Sequence, residues 1–174
     1  IGLLIWKRER ILSNIKYKFN QIELRPEYQQ PIHDTTIQHL RDSNEPSFIS
    51  ASVGAGKTVN IGAIASYVSE LGGRVLVIAR TGELVDQNSN MAWKMGVKNS
   101  TYSASLNTKS TFYPVIFASE GTLCRSLDSD FKTLAFNVIL IDECHMLDDL
   151  DTAEALKHGV TDDSSQYAKI IAHF

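Results

Sequence analysis

The segment Ala51-Ser-Val-Gly-Ala-Gly-Lys-Thr58 constrains this chain more than any other. It follows a short apolar stretch at residues 48–50. It opens a run in which Ile61, Ile64, Val68 and Leu71 recur at helical spacing, closed by Gly72 and Gly73. A glycine-rich turn between a strand and a helix aims successive backbone N–H groups inward and makes a nest for an anion. The helix that follows adds its free N–H groups and the positive end of its dipole. The spacing is that of GxxxxGK[ST], with Ala51 in the place of the first glycine. Val53, Gly54, Ala55 and Gly56 are therefore expected to wrap the phosphates of a nucleotide. Lys57 should reach the β- and γ-phosphates, and the Thr58 hydroxyl should ligate Mg²⁺. A glycine turn carrying an ordinary surface lysine is the plainer reading, and the strand before and helix after speak against it.

A second apolar run, residues 138–141, ends in Asp142-Glu143-Cys144-His145. A buried strand of this kind delivers two adjacent acids to the carboxyl edge of a sheet, where they can face the phosphate loop. Asp142 is suited to hold Mg²⁺ through water, and Glu143 to orient and deprotonate the water that attacks the γ-phosphate. One acid neutralises metal and the other handles a proton. Zinc binding by Cys144 and His145 lacks support, because neither they nor Cys124 sit in a CxxC or HxxxH spacing. A Cys144–His145 nucleophile fails for a different reason: neighbours at a strand end point in different directions.

Helices and short apolar strands alternate along the chain. A polar helix at about 31–41, helices at about 57–71 and 83–93 and a short one near 122–127 are interleaved with strands at 48–50, 75–79, 115–118 and 138–141. A weaker strand lies near 101–106. Strands apolar throughout suit a sheet buried on both faces, and joining them through helices implies parallel pairing with right-handed crossovers. The fold class read here is α/β, a single domain with a mostly parallel central sheet flanked by helices. Ligands of such sheets bind beyond the carboxyl ends of the strands, where both motifs fall.

The net charge of −3 hides an asymmetry. Residues 1–20 hold Lys7, Arg8, Arg10, Lys16 and Lys18 against Glu9 alone, whereas residues 142–163 hold eight acids against Lys157. A broad phosphate-neutralising face would make the whole chain basic, so any nucleic acid must be met by a local strip. Residues 1–21 read as a basic helical extension, with Leu4, Ile5, Ile11, Ile15 and Phe19 on its apolar side, ahead of a domain at 22–174. No apolar run approaches a membrane span, and two cysteines suit a reducing cytosol. The expected location is cytoplasmic, at the nucleoid in a bacterium, with no membrane partner. The opening at Ile1 and the close at Phe174 suggest a piece of a longer protein.

GAGKT together with Asp142-Glu143-Cys144-His145 resembles the first RecA-like domain of a superfamily 2 helicase of the DExH group, over roughly residues 22–174. Within it, Leu24-Arg-Pro-Glu-Tyr-Gln-Gln30 and Ser165-Gln-Tyr-Ala-Lys-Ile-Ile-Ala-His173 are most similar to the RadD-like branch of bacterial DNA repair helicases, with Glu27 as an extra residue. The resemblance implies ATP and Mg²⁺ as cofactors, with Arg25 and Gln29 at the nucleotide and Gln29 reading adenine. It also implies His145 as a link to a second domain. Ala79-Arg-Thr-Gly-Glu-Leu-Val-Asp-Gln87 and Ala118-Ser-Glu-Gly-Thr122 look like motifs Ia and Ib. By resemblance, Arg80, Thr81, Ser119, Gly121 and Thr122 would grip a nucleic-acid backbone, although Thr81 and Ser119 would also be ordinary helix caps.

What the resemblance implies for the intact protein is an ATP hydrolase that couples turnover to movement on DNA, single-stranded or duplex, or on RNA, in DNA repair or recombination. A second RecA-like domain would supply an arginine finger worth about 10³–10⁵ in rate. Neither that domain nor a Ser/Thr-Ala-Thr motif III follows within this sequence, so the segment alone is expected to bind ATP·Mg²⁺ weakly and hydrolyse it very slowly. A restriction-enzyme motor subunit or an RNA helicase would share every motif above. A P-loop phosphotransferase would need lid arginines, and only Arg74, Arg80 and Arg125 lie between Thr58 and Asp142. A non-catalytic nucleotide-binding scaffold would have no use for Glu143.

Overall fold

The computed structural model describes residues 2–7, 19–20, 22–51, 54–147, 152 and 157–174. In chain order the elements are β1 (Gly2–Lys7), α1 (Gln29–Asp42), β2 (Ser47–Ser50), α2 (Lys57–Glu70), β3 (Val75–Ala79), α3 (Gly82–Lys94), β4 (Asn99–Ser103), β5 (Thr108–Lys109), β6 (Val115–Ser119), α4 (Glu120–Cys124), β7 (Val138–Asp142) and α5 (Gln166–His173). Single 3₁₀ turns occupy Ala104–Leu106 and Cys144–Met146. The strands form one sheet in the order β2-β1-β7-β3-β6-β4-β5. β3 pairs in parallel with both β6 and β7, and β6 in parallel with β4. β1 runs against both β2 and β7, which leaves β2 aligned with the parallel group. The α/β architecture and the mostly parallel sheet match what the alternation of strands and helices implies.

β3, β6 and β7 are buried along their whole length, so both of their faces are covered. On one side Val75, Val77, Val115, Phe117, Val138 and Leu140 pack under α1, α2 and α3. On the other, Leu76, Ile78, Ile116, Ile139 and Ile141 meet Leu123, Phe131, Phe136, Tyr167 and Ile170. The period of two within each strand sorts alternate side chains to opposite layers. α2 carries more burial than its single apolar stripe predicts. Every residue from Asn60 to Val68 is buried, because α1 and α3 pack against it on the sheet.

The helix expected at the N-terminus is not formed over Gly2–Lys7, which is strand β1. Leu3 and Ile5 are buried while Leu4 between them is only partly so, an alternation that belongs to a strand. Leu4 and Ile5 fit a helical stripe equally well on paper, and pairing with strands on both sides decides the matter. Residues 8–18, with most of the basic charge, lie outside the described residues. Two further elements, β5 and α5, have no counterpart in the sequence reading. No helix among the described residues is long and apolar enough to cross a membrane.

Leu140 is fully buried at the centre of the sheet, whereas Phe48 on β2 is 60% exposed. Leu140→Ala is expected to lower unfolding free energy by about 2–5 kcal/mol. Phe48→Ala should change it by no more than about 0.5 kcal/mol. Urea unfolding of the two variants beside the wild type checks the contrast.

Candidate nucleotide site

The turn from β2 into α2 depends on two left-handed glycines, Gly54 at φ 81° and Gly56 at φ 79°. A side chain on Gly54 would meet open space, but one on Gly56 would collide with the Gln29 amide. Gln29 is buried; it accepts a hydrogen bond from the Arg25 N–H (2.9 Å) and donates one to the Ala55 carbonyl (3.3 Å). It therefore braces the phosphate loop from α1. Its neighbour Gln30 turns outward and donates to Asp34 (2.8 Å). The Arg25 side chain is exposed and bonds the Tyr28 hydroxyl (2.7 Å). Val53 lies outside the described residues.

β7 ends at Asp142, which is 2% exposed, and Glu143 follows in the left-handed region at φ 59°. In a continuing strand, successive side chains would point to opposite faces. The left-handed turn breaks that alternation, and both carboxylates reach one ammonium. Lys57 Nζ lies 2.5 Å from Asp142 Oδ1 and 2.5 Å from Glu143 Oε1. Asp142 Oδ1 also accepts the Glu143 N–H (3.0 Å), and Asp142 Oδ2 accepts from Asn88 Nδ2 (2.9 Å). His145 Nδ1 stands 3.3 Å from Glu143 Oε2 and is half exposed. Burial pulls the Lys57 ammonium toward losing its proton. Its hydrogen bonds and charge attraction to Asp142 and Glu143 outweigh that, so it titrates above the ordinary lysine value.

A cavity of about 350 Å³ opens here, lined by Gly54, Gly56, Lys57, Thr58, Asp142 and Glu143 among others. Six of the residues read from the two motifs thus share one space. No cluster of three or more His, Cys, Asp or Glu able to hold a metal occurs among the described residues. A divalent ion bound here would take the Thr58 hydroxyl and Asp142 carboxylate and complete its shell with phosphate and water. That is the hard, oxygen-only, partly hydrated set that Mg²⁺ prefers. The ammonium resting between the two acids marks the point as one that holds positive charge. Cys144 is buried, and burial pushes its thiol up to about 11, which leaves it protonated and unreactive at neutral pH.

Residues 21–174 match the family described as type III restriction enzyme, res subunit. The chain belongs to this family. No curated protein gives a significant match. Res-subunit domains are RecA-like domains of the superfamily 2 helicase type, found in ATP-dependent helicase-like motors, and such domains generally use ATP and Mg²⁺.

In this res-subunit domain Arg80 and Thr81 are exposed where β3 gives way to α3. Thr81 caps that helix by accepting the Leu84 N–H (3.3 Å). The Ser119 and Thr122 hydroxyls are turned inward, to partners within the domain. Both are buried; Ser119 donates to Thr122 Oγ1 (2.9 Å), which also accepts the Ala104 N–H (3.1 Å). They stitch the start of α4 to the turn after β4, and Gly121 beside them is half-buried. Sequence reading missed Asn88, along with Leu84 and Met91 on the cavity wall. Asn88 carried a signal: it sits among Val85, Ser89 and Ala92 on the buried face of α3, an amide where an apolar side chain is the norm.

Gly54→Ala is expected to lower stability by the left-handed penalty alone, about 1–2 kcal/mol. Gly56→Ala should lower it further, because its methyl group must also displace Gln29. Adding Gln29→Ala to Gly56→Ala should narrow the gap between the two glycine variants in urea unfolding.

Proposed function

We propose that this domain is the ATP-hydrolysing half of a motor that moves on DNA. The observation that carries the reading is the single ammonium of Lys57 in contact with both Asp142 and Glu143, with Thr58 on the same cavity. In this reading the phosphate loop from Gly54 to Gly56 offers backbone N–H groups to the triphosphate. Lys57 leaves the acids for the β- and γ-phosphates and stabilises the charge that builds as the terminal bond breaks. Thr58 and Asp142 would hold Mg²⁺, which would supply fixed positive charge beside the phosphates. Glu143, released by Lys57, orients the attacking water and takes its proton. His145, next to Glu143, carries the state of that carboxylate toward a second RecA-like domain of the same polypeptide, which would bring an arginine finger. Gln29 stands at the loop and reads adenine after exchanging its present bonds. Arg80 and Thr81, with the backbone at Gly121, form the nucleic-acid grip.

The family name supports DNA as the track, since a restriction subunit works on DNA. It also favours a second reading, a restriction-enzyme motor subunit. A role in DNA repair or recombination rests on the likeness of residues 24–30 and 165–173 to RadD-like helicases. ATP turnover measured with single-stranded DNA, duplex DNA and RNA in turn separates the readings of substrate.

Lys57→Ala is expected to abolish turnover in the protein that contains this domain. Glu143→Gln should keep ATP binding and lower turnover by about 10²–10⁴. Near-normal hydrolysis by Glu143→Gln would remove Glu143 as the base. The 174-residue chain alone is expected to turn ATP over very slowly and without stimulation by nucleic acid.

A further inference from the structure

Asp142 is buried, and each of its oxygens is assigned. Oδ1 meets Lys57 Nζ at 2.5 Å and the Glu143 N–H at 3.0 Å, on the side of the cavity. Oδ2 meets, among the described residues, Asn88 Nδ2 at 2.9 Å, on α3. A carboxylate has no proton to give, so the amide nitrogen and not its oxygen must face Asp142. Asn88 is itself 1% exposed, and its helix is fixed at that point. Val85 and Ala92 bury on the same face, and the adjacent Ser89 donates to Asn99 Oδ1 (2.7 Å) while Asn99 Nδ2 donates back to the Ser89 carbonyl (3.3 Å). The amide that holds Oδ2 is thus carried by a helix whose next residue is pinned to β4.

We propose that Asn88 is a positioning residue for Asp142, holding Oδ2 so that Oδ1 stays turned to the nucleotide cavity when Lys57 leaves it for phosphate. The inference rests on the reading of the site as a Mg²⁺-nucleotide site. Loss of Asn88 frees the carboxylate to rotate and leaves one of its oxygens buried without a donor. Partners that orient a metal-holding group in this way typically change metal affinity by about 10–100-fold when removed. Among the described residues the Asn88 side chain bonds Asp142 and not the phosphate loop, so nucleotide binding without metal is expected to be spared.

The test is a binding titration with a fluorescent ADP analogue, in EDTA and across a range of MgCl₂, on wild type, Asn88→Leu and Asn88→Ala, with thermal melts to establish folding. The expected result is unchanged affinity in EDTA and an approximately 10–100-fold higher Mg²⁺ concentration for the half-maximal metal effect. Asn88→Ala stands in if the larger leucine prevents folding. Coincident Mg²⁺ curves for wild type and variant overturn the inference and leave the site reading intact. An equal loss with and without Mg²⁺ also overturns it, since that is the mark of a damaged pocket. A wild type that binds nucleotide with no response to Mg²⁺ removes the site reading and this inference together.

Discussion

One ammonium between two carboxylates is the constraint around which the rest of the domain is arranged. Asp142 lies at the end of a fully buried strand, and a carboxylate there without a counter-charge would carry a desolvation cost of several kcal/mol. Lys57 supplies that counter-charge from the first residue of α2, on a part of the chain 85 residues away. The two strands that bring these groups are not neighbours, since β1 lies between β2 and β7. At about 4.8 Å per strand they stand roughly 10 Å apart. A lysine at the helix start spans that gap where a shorter cation would not. The left-handed backbone at Gly56 starts the helix in the right place, and that at Glu143 turns the second acid back to the same ammonium. Neither glycine nor acid is interchangeable with its neighbour, because each solves a different part of this geometry.

The layout of the sheet was legible in the sequence wherever a strand is apolar from end to end. β3, β6 and β7 stand out as unbroken runs of Val, Ile, Leu, Phe and Ala, and the two motifs mark their sites by residue type and spacing. The elements that escaped are those whose character comes from partners. β1 fits a helical stripe until its neighbours pair with it, and β5 has only two residues, both exposed. In the site, Lys57, Thr58, Asp142 and Glu143 stand out in the sequence by residue type and by spacing within each motif, and all four line one cavity. Asn88 does not stand out, because an amide on a helix has many uses and only the carboxylate facing it singles out this one. Ser119 and Thr122 show how much a neighbour adds to what a residue type can say. A hydroxyl at a helix start reads as a contact for an outside phosphate, and burial against the Ala104 turn assigns it an inside partner.

The phosphate loop is also braced from an unexpected side. Gln29 joins the loop carbonyl at Ala55 to the backbone at Arg25, so α1 and the loop are coupled before any nucleotide arrives. The contact engages Gln29, whereas Gln30 turns outward to Asp34. It also accounts for Gly56 twice, once by its backbone angle and once by the space the amide needs.

Helix α3 begins at the exposed Thr81 and, seven residues on, touches Asp142 through Asn88. At 1.5 Å per residue those two points are about 10 Å apart along one rigid rod. A substitution that moved either end of that rod would therefore be felt at the other.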